Sequence, residues 1–171
     1  YVAGSPFVYT EVFGVSQAQF GYYFALNVVG LLIGNLTNGQ LVMRYGHRRM
    51  LSAGVLIMAS ATAALVALVA GGVTAQWLIT PPLFVALGTV GIIAANTVAG
   101  LLDRYPAHAG AASALFGVAQ VSLGAVSAAL VGLITAGPLV TMVGVMAVTA
   151  ALALAAVSAL WHQQRRPASV A

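Results

Sequence analysis

No cysteine and no lysine occur among the 171 residues, and only two acids do, Glu11 and Asp103. Without cysteine there is no disulfide scaffold, thiolate metal site or dithiol redox centre. The three histidines, His47, His108 and His162, lie too far apart in sequence to form a ligand set instead. No metal and no cofactor are therefore expected. Charged residues make up only 5% of the chain against 61% hydrophobic ones, and the mean hydropathy is +1.03. Six arginines and two acids could not cover a water-soluble globule of this size, whereas a bilayer asks only that helix ends be polar. The formal charge of +4 would suggest nucleic acid in a soluble protein. Here it belongs to a few arginines between apolar runs, so it reports topology, and no nucleic-acid partner is expected.

The apolar runs define an all-α membrane protein. A span needs ~20 mostly apolar residues. Five stretches qualify: about 20–41, 50–70, 79–102, 109–135 and 139–161. Arg44, Arg48 and Arg49 follow the first, Arg104 the third, and Arg165 and Arg166 the fifth, so every arginine falls on one side. The positive-inside rule puts those loops and the tail 162–171 in the cytoplasm. Tyr45, Tyr105 and Trp161 at that boundary, and Trp77 at the other, read as interfacial anchors. The chain opens Tyr1-Val2-Ala3-Gly4-Ser5-Pro6, with no secretory signal, so residues 1–7 are expected to be the outer end of a sixth, truncated helix. Residues 8–161 then form the bundle.

Side-chain amides divide the spans. The second and fifth carry none and are expected to face lipid; the first carries Asn27, Asn35, Asn38 and Gln40, the third Asn96 and the fourth Gln120. The pattern recurs with a lag of about 88 residues, which with the truncated helix gives two three-helix units of opposite orientation, an inverted repeat. On the fourth span Gly110, Ser113, Gly117, Gln120, Gly124 and Ser127 share a face without large apolar residues, where another helix is expected to approach. On the first, Tyr23, Asn27, Gly30, Gly34 and Asn38 share a face that suits either a cavity wall or a helix contact. No span holds paired carboxylates, a Ser–His pair at membrane depth or a metal-ligand set, so an enzyme is not expected.

The segment Gly39-Gln40-Leu41-Val42-Met43-Arg44-Tyr45-Gly46-His47-Arg48-Arg49 is the most specific motif, with its two glycines expected to flank a tight turn. Asp103 is the one carboxylate on the same side, and a latch between it and Arg44 or Arg48 is predicted.

That segment resembles motif A of the major facilitator superfamily. Gly39, Leu41, Arg44, Gly46 and Arg48-Arg49 match the pattern, and Met43 stands where the family has an Asp. Gly4-Ser5-Pro6-Phe7-Val8, Glu11-Val12-Phe13-Gly14, Gln19-Phe20-Gly21, Phe24-Ala25-Leu26-Asn27 and Ala109-Gly110-Ala111-Ala112-Ser113-Ala114-Leu115 with Gly117 and Gln120 look like the Bcr/CflA drug-resistance transporters. The resemblance implies the C-terminal six-helix half of a twelve-helix fold in a bacterial inner membrane, exchanging drugs for protons. It implies that an absent N-terminal half carries the acidic proton-coupling residues. Tyr23, Phe24, Asn27, Asn96, Phe116 and Gln120 would then line one wall of the drug cavity. A membrane-embedded interaction domain without transport activity is the alternative.

Overall fold

The computed structural model describes residues 1–134 and 137–165, with side chains up to His162. The expected end of the fourth span at Thr135, the side chain of Arg165 and the tail 166–171 with Arg166 lie outside the described residues. Among the described residues every regular element is helical: α1 (Ser5–Phe7), a π-helical turn (Val8–Val12), α2 (Gln17–Ala70), α3 (Gln76–Arg104), a 3-10 turn (Pro106–His108), α4 (Ala109–Leu133) and α5 (Pro138–Arg165). Four of these, α2 to α5, are long and apolar enough to cross a membrane.

Helix α2 starts in a reciprocal cap. Ser16 Oγ accepts from the Gln19 N–H at 3.3 Å, and Gln19 Oε1 accepts from the Ser16 N–H at 3.4 Å. Its 54 residues would measure about 80 Å if straight, far more than the ~30 Å apolar core of a bilayer. It is not straight. Gly46, at φ 77° and ψ 155°, occupies backbone space reserved almost wholly for glycine and divides α2 into a first arm, 17–45, and a second arm, 47–70. Helix thus runs well beyond the apolar stretches on both sides: residues 42–49 contain no proline, and arginines suit the C-terminal end of the first arm. One expectation changes. Gly39 is helical and Gly46 alone makes the turn.

Residue pairings give the helix directions. Phe84 lies against Gly30, Gly88 against Gly34 and Asn96 against Asn38, so the first arm and α3 run parallel. Gly54 packs on Ile92 and Ile93 while Leu65 clusters with Ile79 and Leu83, so the second arm runs antiparallel to α3. Helix α5 also runs antiparallel to the second arm: Leu139, Met142 and Val143 join the Leu65 cluster at one end, and Trp161 Nε1 donates to Ser52 Oγ at 2.9 Å at the other. Helix α4 leaves α3 through the 3-10 turn and ends beside Gly4, near Met142. The buried core, Val8, Leu65, Ile79, Leu83, Leu139, Met142 and Val143, ties the chain start to three helices at the end opposite Gly46.

The second and fifth spans, expected to face lipid, are each buried on one side and exposed on the other. The second arm buries Gly54, Val55, Ala61, Thr62 and Leu65 and exposes Leu56, Ile57 and Val66. Helix α5 buries Met142, Val143 and Ala150 and exposes Val140, Val148 and Leu152. Helix α4 has no buried residue.

Candidate functional site

The first arm meets α3 along a face built from small residues. A methyl on Gly34 would run into the Gly88 carbonyl oxygen, and one on Gly30 would come 2.8 Å from the Phe84 ring. Backbones this close leave no room for water or ligand between them. Asn38 and Asn96 extend the contact. Asn96, 1% exposed, donates to Asn38 Oδ1 at 2.6 Å and to the Ile92 carbonyl at 2.7 Å. Both N–H bonds of that amide are thereby used inside the bundle. Of the two readings open for the Tyr23–Asn38 face, the structure gives helix contact to Gly30, Gly34 and Asn38.

The upper part of that face differs. Asn27, 3% exposed, donates to Tyr1 Oη at 2.6 Å and to the Tyr23 carbonyl at 3.0 Å, while its Oδ1 has no partner. Around it stands an aromatic group: Tyr9 contacts Phe13 edge-on at 5.3 Å, Phe20 at 5.7 Å and Tyr23 at 5.2 Å, and Phe20 meets Phe24 at 6.0 Å. Tyr9 is fully buried and its hydroxyl is unpartnered. Tyr9 and Phe13 escape a reading by helical spacing, because the break at residues 13–16 separates them from α2, where Phe20 and Tyr23 lie. A usable signal was compositional: four Tyr and four Phe fall within the first 24 residues.

On α4, Gln120 is exposed and Phe116 half-buried. The face of Gly110, Ser113, Gly117, Gly124 and Ser127 is uncovered by this chain; nothing lies within 4 Å of a methyl placed on any of its three glycines. The α4 residues thus stand apart from the Asn27 group. A cavity of about 470 Å³ between the chain start and the end of α4, lined by Gly4, Phe7, Val131 and Pro138 among others, contains no titratable side chain.

At the opposite end Asp103 Oδ2 lies 3.4 Å from His47 Nδ1, a residue not named in the expected Arg44 or Arg48 latch. Arg44 precedes the Gly46 break and is exposed, as is Arg49; His47 follows the break and its imidazole lies against Gly100. Arg48 shares the Asp103 end of the bundle. Asp103 is 69% exposed, where such a pair contributes ~0–1 kcal/mol. Glu11 is exposed too, so neither acid sits in the middle of a long apolar helix. Among the described residues no group of three or more His, Asp or Glu is placed to hold a metal.

The sequence profile described as Major Facilitator Superfamily matches residues 1–171. The chain belongs to that superfamily. It is 31% identical over 156 residues to an uncharacterized MFS-type transporter, YdgK, of Bacillus subtilis (strain 168), covering 90% of this chain and 38% of the relative. It is 29% identical over 168 residues to a bicyclomycin resistance protein homolog of Haemophilus influenzae, covering 90% of this chain and 39% of the relative. The chain therefore spans about two fifths of the length of these curated relatives. No solved structure gives a significant match. Apolar helices and superfamily membership together make this a multi-pass membrane protein of a transporter family.

Proposed function

We propose that the chain is one half of a proton-coupled drug exporter that works by alternating access, with a second bundle completing the cavity. The uncovered face of α4 supports this reading most directly. A 25-residue apolar helix with no buried residue carries an amide and a row of small residues on one face. In lipid such a face is better packed against protein than solvated by acyl chains. A partner bundle would cover it, and the relatives are long enough to contain one.

In this reading the cavity wall is Tyr23, Phe24 and Asn27 from the first arm with Phe116 and Gln120 from α4. The aromatic rings would take the apolar part of a drug and the amides its polar groups. Asn27, whose N–H groups are also used, would contribute its unpartnered Oδ1, whereas Asn96 is assigned to the α2–α3 contact. The motif segment Gly39, Arg44, Gly46, Arg48 and Arg49, with Asp103, would form the cytoplasmic latch, its arginines held inside by the positive-inside rule. Proton-carrying acids are assigned to the second bundle, because a charge at mid-span costs ~2.5–3.5 kcal/mol and needs a use. The bicyclomycin resistance relative points to drugs as the substrate class.

The test is expression of the full reading frame in a drug-sensitive, efflux-deficient bacterium, with bicyclomycin and chloramphenicol accumulation followed with and without a proton uncoupler. Lower accumulation that the uncoupler reverses is expected. Unchanged accumulation of both compounds at confirmed membrane expression would overturn the proposal.

A further inference from the structure

A second cavity, of about 320 Å³, opens where the start of the second arm meets the ends of α3 and α5. Its lining combines two chemistries. His47, Arg48 and Arg104 line it, with Asp103 as the sole acid among its lining residues. The walls are Leu51, Val157, Leu160 and Trp161. The other polar lining groups are directed elsewhere: Asn96 N–H to Asn38 and Ile92, Thr97 Oγ1 to the Ile93 carbonyl at 2.7 Å, and Ser52 Oγ to the Arg48 carbonyl at 3.1 Å. Trp161 is 41% exposed, yet its indole is fixed by the bond to Ser52. A ligand here meets basic groups and apolar surface side by side.

The position narrows the ligand. The cavity lies at the polar ends of three apolar helices, the level at which the headgroup layer of a bilayer begins. The volume is at the low end of the ~300–1,000 Å³ of small-molecule pockets, small for a whole drug but sufficient for a phosphate ester and the first carbons of a chain. Basic pockets between helices at this depth hold lipid phosphates. The geometry points to a binding site for an anionic phospholipid: its phosphate at Arg104 and His47, its acyl chain along Leu160 and Trp161. The site is separate from the proposed drug wall and stands whether or not the protein exports drugs.

Native mass spectrometry of the full-length protein in detergent, with added phosphatidylglycerol or with phosphatidylcholine of the same chains, tests this. The wild type should retain phosphatidylglycerol in clear preference to phosphatidylcholine. Arg104→Gln should weaken that preference about fivefold, the effect of one basic residue near an anionic surface. Asp103→Asn should strengthen it, since it removes the only acid in the lining. Opposite effects of two exposed substitutions cannot both come from misfolding. Equal retention of the two lipids, or the same effect from both variants, would overturn the proposal. Displacement of the lipid by millimolar inorganic phosphate would also overturn it, because the site would then read free phosphate and the apolar walls would have no part.

Discussion

The Asn38–Asn96 bond joins positions 58 residues apart and ties the first arm of α2 to α3. Replacing either by Leu leaves the other amide in an apolar contact without its partner, and both single variants should lose stability. Hydrogen bonds between membrane helices average ~0.6 kcal/mol and reach ~1.7 kcal/mol. Asn38→Leu and Asn96→Leu should each lower the unfolding free energy of the full-length protein by about that amount, and the double variant should lose less than their sum. Unfolding in mixed detergent micelles measures the cycle; strict additivity would mean the two amides do not act as a pair. Both asparagines stand out in the sequence, yet their pairing does not. It depends on the register of two parallel helices, which no local spacing encodes. His47 escaped notice similarly: its imidazole reaches Asp103 only because the chain turn at Gly46 and the packing of α3 bring them together.

Among the elements, the turn inside α2 separates the two motif glycines by conformation. Gly46 sits where a side chain is strained, so Gly46→Ala should cost ~1–3 kcal/mol and lower the thermal midpoint. Gly39 is helical with open space around its Cβ position, so Gly39→Ala should be neutral or stabilising by up to ~1 kcal/mol. Thermal melts of the purified full-length variants decide it; an equal loss in both would place the turn elsewhere. The helices themselves were legible because apolar length leaves little choice in a bilayer. Their ends were not. Helix continues through Arg44, His47 and Arg49 because polar residues at a membrane boundary are as free to be helical as apolar ones. The short helical start at residues 5–12 lacks the length that makes a periodic pattern readable.

At the scale of the whole molecule, α2, α3 and α5 interlock and α4 is fastened mainly near its ends. The chain contains no cysteine, so single cysteines on α4 can report what covers it. In the full-length protein, cysteine at Ser113 or Ser127 should react with an apolar maleimide at least ~10-fold more slowly than at Leu115 or Val126 on the opposite face, as expected where a tight helix contact excludes the reagent. Equal rates would show that no second bundle packs there. The sequence made this face visible through its small residues, but not that its own chain would leave it bare. That requires knowing where the other helices stop.

The order in which the helices are made differs from the order in which they pack. The first arm takes its glycine and asparagine contacts from α3, but the ribosome produces the second arm in between. Asn96 follows Asn38 by 58 residues, which at ~5–20 residues per second is a wait of roughly 3–12 s. Through that interval Asn38 and the Gly30–Gly34 groove have no partner from α3, and the nascent hairpin closed by Gly46 must rely on lipid or an insertion chaperone to cover them.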